Sequence, residues 1–161
     1  MTILRSLFVS VIAVSILSAC SQHTPFGPEV ATEAISANEE KEKRHDAERL
    51  PGVVWQWVGF TDPVNAPLTI NNPEQYTLEF LADGMVSVGA DCNRAGGSYA
   101  ADRGSLQIAF GPMTTAACLP GSLGDKFVQN LSYGAVYFFQ DDRLFIDMMA
   151  DGGTLEFSAE E

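Results

Sequence analysis

From Val53 to Phe157 apolar side chains recur at alternate positions in short runs, and Asp, Asn, Gly or Pro interrupts each run. A period of two places alternate residues on opposite faces of a strand, so this stretch codes for strands and turns. Gln75–Leu81 is the clearest case, with Tyr76, Leu78 and Phe80 on one face and Thr77 and Glu79 on the other. Ala82-Asp83-Gly84 then turns tightly, and Met85–Gly89 returns as the hairpin partner. Val53–Gly59 reads as an earlier strand with Val53, Trp55 and Trp57 on one face, broken by Asp62-Pro63 and Asn65-Ala66-Pro67. Ser98–Ala100 is short and extended, and Ser105–Phe110 alternates until Gly111-Pro112, where it is expected to end. Ala135–Phe139, Leu144–Met148 and Thr154–Phe157 finish the chain as strands, with turns at Asp141-Asp142 and Asp151-Gly152-Gly153.

The period changes once. Leu123, Phe127 and Leu131 recur every four residues with Val128 beside them, which predicts a short amphipathic helix. Ser122 is placed to cap its start, and Gly134 to stop it. Many short strands with one helix imply a mainly β (α+β) domain: a small antiparallel sheet, curled or forming an open barrel, with one short α-helix.

The N-terminal third has a different composition. Leu7–Leu17 is apolar except for Ser10 and Ser15, follows Arg5, and is too short to span a bilayer comfortably. It ends in Leu17-Ser18-Ala19-Cys20, which resembles a bacterial lipobox. That resemblance implies a signal peptide over 1–19 and acylation of Cys20. Ser21, rather than Asp, follows the cysteine and resembles the outer-membrane sorting pattern, so the expected location is a periplasm-facing lipid anchor in the outer membrane. Residues 20–50 then read as a flexible tether with Phe26 as its one aromatic residue and a charge run from Glu39 to Asp46. Helical Glu/Lys spacing between Ala34 and Arg49 gives part of it a tendency to coil into a helix. The folded domain is expected over 51–161.

Composition removes several functions. With a net charge of −12, the 161-residue chain is a poor nucleic-acid binder, because phosphate contacts require Lys and Arg. Both histidines, His23 and His45, fall in the tether, so the domain has no Ser-His or Cys-His pair and no histidine metal site. No catalytic residue, cofactor or metal is expected. Cys92 and Cys118 are the two cysteines of the domain. They have four readings: a disulfide, buried free thiols, a catalytic thiol with its partner, or a metal pair, and the last two lack a histidine in the domain. An exported, oxidising location favours the first. They follow the strands Met85–Gly89 and Ser105–Phe110, whose ends would bring them together if both strands share the sheet. Asn93, Gly97 and Tyr99 read as turn chemistry: Asn93 caps its own backbone, Gly97 takes an unusual dihedral, and Tyr99 packs. Asp141 and Asp142 with Asp147 or Asp151 do not have calcium-loop spacing.

Together the residues resemble the META domain, also called the HslJ-like domain. The likeness runs through Trp55-x-Trp57, Tyr76-Thr77-Leu78-x-Phe80, Asp83-Gly84, Cys92-Asn93-x-x-x-Gly97-x-Tyr99, Thr115-x-x-Cys118, Phe127-x-x-x-Leu131, Leu144-x-Ile146 and Leu155-x-Phe157. The chain departs from the usual Thr-x-Met-Ala-Cys at Ala116, which stands where the family has Met. The resemblance implies a compact β-rich envelope domain, often lipid-anchored, associated with heat-shock and antibiotic stress and without established enzymatic activity. The expected function is therefore non-catalytic, through contacts with envelope proteins. The alternative expectation is a carrier of a small apolar ligand, with the barrel interior as its pocket.

Overall fold

A computed structural model describes residues 28–161. The lipobox and Cys20 lie outside the described residues. Helix α1 (Pro28–Arg49) precedes the strands β1 (Val54–Thr61), β2 (Leu68–Thr69), β3 (Tyr76–Phe80), β4 (Met85–Ala90), β5 (Asn93–Asp102) and β6 (Ser105–Met113). Helix α2 (Gly124–Ser132) follows, and β7 (Gly134–Gln140), β8 (Arg143–Met148) and β9 (Thr154–Ala159) complete the chain. All strand pairs are antiparallel, and β9 returns to pair with β1, so β1 and β3–β9 close into an eight-stranded barrel. The two-residue β2 extends the β3 side of β1 beyond where β3 leaves it.

Alternation fills the barrel. Trp55 and Trp57 on β1, Tyr76, Leu78 and Phe80 on β3, and Leu155 and Phe157 on β9 all point inward and are buried. A β-bulge between Trp57 and Gly59 advances the register by one residue, which also turns Phe60 inward. The Trp57 indole donates to the Gly59 carbonyl at 2.7 Å and its ring stacks on Phe127 with centroids 4.9 Å apart. A hollow barrel would leave its lining open to water. Here Trp57, Leu78, Phe80, Phe127, Leu144, Ile146, Leu155 and Phe157 are all at 0% exposure. Each such side chain contributes roughly 1.5–3 kcal/mol on burial.

The two ends close differently. At one, α2 lays Phe127 and Leu131 into the core, both fully buried. Its start is set by the Leu123 amide, which donates to the Tyr76 hydroxyl at 3.0 Å. Ser122 stands one residue outside the N-cap, where its Oγ accepts from the Gly124 amide at 3.2 Å. At the other end Leu50 is fully buried, and its carbonyl accepts from the Trp55 indole at 3.4 Å. The Arg49 guanidinium lies 4.0 Å above the Phe139 ring and pairs with Asp46 and Asp142. The segment read as a tether thus carries a helix over Pro28–Arg49, and its last turn with Leu50 stoppers the barrel. Further up α1 there is no apolar stripe, and Ile35 is exposed. No helix among the described residues is long and apolar enough to cross a membrane.

Most strand ends differ from the sequence reading by one or two residues and β2 is not foreseen by it; three differences have a physical reason in the structure. β5 spans ten residues, not three, because pairing with both β4 and β6 overrides the weak strand tendency of its Gly and Ala residues. β6 continues through Gly111-Pro112, which fall where the β5–β6 register shifts, and a bulge needs no amide from proline. Gly134 opens β7 without a left-handed conformation, and a Cβ there would come within 2.9 Å of the Ile146 side chain.

Candidate functional site

Cys92, Asn93, Cys118 and the segment that holds Thr115 converge where β4 turns into β5, whereas Gly97 and Tyr99 lie at the other end of the β4–β5 ladder, Tyr99 beside the β3–β4 turn. Cys92 and Cys118 are bonded, with α-carbons 5.5 Å apart and a sequence separation of 26. In the chain-entropy picture a loop of that size is worth roughly 3–4 kcal/mol. The strands β4 and β6 share the sheet but are not neighbours, since β5 separates them. The cysteines meet because the chain beyond β6 doubles back beside the start of β5.

Asn93 locks that return. It does not cap its own backbone. Its Oδ1 accepts from the Ala116 amide at 2.8 Å and from the Thr114 hydroxyl at 3.0 Å. Its Nδ2 donates to the Ala116 carbonyl at 3.1 Å and to the Cys118 sulfur at 3.4 Å. A carboxamide has two donors and two acceptor sites, so Asn93, buried at 6% exposure, is saturated by the protein. Thr114 also accepts from the Arg94 amide at 2.9 Å, while Thr115 is exposed. Thr114, not Thr115, therefore does the work expected of the motif threonine. Counting Thr-x-Met-Ala-Cys back from Cys118 already lands on Thr114.

Gly97 has no unusual dihedral. It is needed because a Cβ would come within 2.3 Å of the Ala109 carbonyl oxygen, where β5 and β6 approach closely. Tyr99 packs edge-on against Phe80 with centroids 4.8 Å apart, and its hydroxyl donates to the Leu81 carbonyl at 3.2 Å. Burial, then the Asp83 carboxylate, pushes the Tyr99 hydroxyl above its usual pKa of 10.0. Cys92, Cys118, Asn93 and Thr114 thus form a clamp rather than an open cleft, while Gly97 and Tyr99 serve strand packing farther along β5. Among the aspartates, Asp142 is engaged by Arg49 and Asp147 by Thr154, and no set of three His, Cys, Asp or Glu among the described residues gathers as a metal site.

Open space lies outside the packed barrel. The interior expected to take an apolar ligand is occupied by the protein's own side chains. A cavity of about 510 Å³ sits between α1 and the β7 wall, and a second, of about 350 Å³, lies where β6 and β7 diverge. Those two strands share the single register pair Ser105–Val136. Neither cavity was legible as a periodic or spaced motif, because each joins segments remote in sequence.

The family model for the META domain matches residues 48–161. Among solved structures, the NMR structure of a protein from Burkholderia xenovorans is similar at 21% identity and a TM-score of 0.57, covering 92% of this chain and 99% of that one. The crystal structure of a DUF4847 family protein from Bacteroides vulgatus ATCC 8482 is similar at 15% identity and a TM-score of 0.51, covering 69% of this chain and 94% of that one. At these identities the likeness is one of fold. No curated protein matches the chain.

Proposed function

This chain belongs to the META domain family, and from that premise we propose that it is a non-catalytic lipoprotein, anchored in the outer membrane and facing the periplasm, that supports envelope stress or antibiotic tolerance through protein contacts. The observation that carries the reading is the Cys92–Cys118 bond, since disulfides persist in oxidising compartments outside the cytosol. The lipobox ending at Cys20 supplies an export route and an anchor that agree with it. The absence of histidine from the domain and the saturation of Asn93 by protein groups fit a scaffold rather than a reacting centre. Cys20→Ala should abolish metabolic labelling with an alkyne-bearing palmitate and release the protein from the membrane fraction. Retention of the variant in the outer membrane as an integral protein would refute the anchor.

A further inference from the structure

We propose that the edge of β6 facing away from β5 is a strand-addition site for an extended segment of a partner protein, one with small apolar side chains at alternate positions and basic flanks. The proposal gives the protein contacts of the proposed function a surface, and it rests on that reading for its kind of partner. The hairpin sets which way the β6 backbone points. Asp102 and Ser105 close the two-residue turn Arg103-Gly104, in which both residues have positive φ. Such a turn makes Asp102–Ser105 a hydrogen-bonded pair, so the backbone groups of Ser105, Gln107 and Ala109 point to β5 and those of Leu106, Ile108 and Phe110 point away from it. Two bonds agree. The Tyr99 amide, opposite Ile108, donates to the Gly84 carbonyl at 2.9 Å on the far side of β5, and the Tyr137 amide donates to the Gly104 carbonyl at 2.8 Å across the seam. Beyond Ser105–Val136 the two strands have no register pair, so Ile108 and Phe110 direct amide and carbonyl to the seam with no strand beside them among the described residues.

Open space lies where the missing strand would run. The cavity of about 350 Å³ has Ser105 to Ile108 on one side and Ser132, Gly134, Ala135 and Met149 on the other. Unpaired backbone donors and acceptors beside open space accept an extended chain. The far wall consists of short side chains and the flexible, exposed Met149, so it admits small apolar groups from an added strand. β6 carries no charged side chain from Ser105 to Met113 and so lacks the lysine that commonly guards an edge. Pro112 has no amide with which to extend the row. Charge complementarity selects the partner. The chain carries −12, and each cation of the barrel is already engaged: Arg94 with the Asp91 and Asn93 carbonyls, Lys126 over the Phe60 ring, Arg103 with Asp102, and Arg143 with Glu156. Asp125 on α2 and Asp151 near Met149 are exposed and form no ion pair among the described residues. A second copy would bring like charge to this face, whereas a segment with basic flanks brings the opposite charge.

The probe is the end-capped peptide Lys-Thr-Val-Ser-Val-Thr-Lys, titrated into the full chain while backbone amides are followed by NMR. One control is the same peptide N-methylated at every residue between the lysines, which keeps side chains and charge and cannot donate to a strand. The other replaces both lysines with glutamate. The lysine-flanked peptide should saturate, shift the Ile108 and Phe110 amides most, and slow their hydrogen exchange by at least about tenfold. The N-methylated peptide should leave both amides unchanged, and the glutamate-flanked peptide should bind roughly tenfold more weakly. Ala135→Trp, on the cavity wall, should abolish the response at an unchanged melting temperature; if that variant does not fold, the N-methylated peptide decides the question on the unaltered chain. An equal response to the N-methylated peptide, an absence of shifts at Ile108 and Phe110 at high peptide concentration, or glutamate-flanked binding as tight as lysine-flanked binding would each overturn the proposal. Slower exchange at Ile108 on raising the protein concentration alone would assign the edge to a second copy and overturn it as well. Failure on any of these counts leaves the lipid anchor standing, since Cys20→Ala tests that separately.

Discussion

The barrel wall is held very differently on the two sides of the β5–β6 hairpin. On the β4 side, six register pairs join β4 to β5, and the Cys92–Cys118 bond and four Asn93 hydrogen bonds tie down the chain that returns from β6. On the β7 side, β6 and β7 share one register pair and then part around a cleft. Closure at this seam relies on the α2 plug, where Phe127 and Leu131 are buried, more than on a backbone ladder. The difference teaches that a barrel can be topologically closed and still have a weak seam, with its covalent and polar reinforcement placed elsewhere. Local opening would follow that division, because the cost of opening tracks the buried contacts and ladder bonds lost.

Breaking the strong side should cost most. Cys92→Ala removes the bond and should destabilise the domain by roughly 2–5 kcal/mol in chemical denaturation, while adding Cys118→Ala should cost little more. Two free thiols in the oxidised wild-type protein would remove the basis for the difference. Gly97→Ala should come next, at roughly 1–3 kcal/mol, since the new Cβ meets the Ala109 backbone and not a movable side chain. A neutral result there would mean that β5 and β6 do not approach as closely as described. Asn93→Ala should cost about 1–2 kcal/mol, toward the lower end of the range for lost buried hydrogen bonds, because Thr114 and Ala116 are exposed and water can replace part of what they lose. Thr115→Ala is the matched control and should do nothing measurable, whereas Thr114→Ala should reproduce part of the Asn93 loss. On the weak side, Val136→Ala alters an exposed side chain at the one register pair and should stay within about 0.5 kcal/mol.

The strong side was partly legible in the sequence and the weak side was not. Strict alternation in Tyr76-Thr77-Leu78-Glu79-Phe80 fixes an inward face with no help from tertiary context, and the structure buries Tyr76, Leu78 and Phe80 as that pattern requires. The four-residue spacing of Phe127 and Leu131 is equally local, and both side chains are buried. The Asn93 network is not local. Its partners lie 21 to 25 residues away, so the side chain read alone looked like a turn-former. Gly97 is required by a close strand approach and not by its dihedral, and such an approach leaves no trace in a local conformational preference. Leu50 gave no signal because a single leucine after a charged helix has no period, and its burial depends on where the barrel mouth falls. The β6–β7 seam could not be read at all: β6 alternates, Ala135–Phe139 is a continuous apolar run, and nothing in either indicates that they pair at one position only.

Native-state hydrogen exchange on the oxidised domain compares the two sides in one experiment. The β4–β5 ladder amides between Val86 and Gly97 should exchange through global unfolding alone. The alternate β6 amides directed toward β7, between Leu106 and Met113, should exchange at least about a hundredfold faster, because the seam has no register pair beyond Ser105–Val136 to protect them. Equal protection on both sides, or faster exchange in the β4–β5 ladder, would contradict a barrel with a reinforced side and a weak seam.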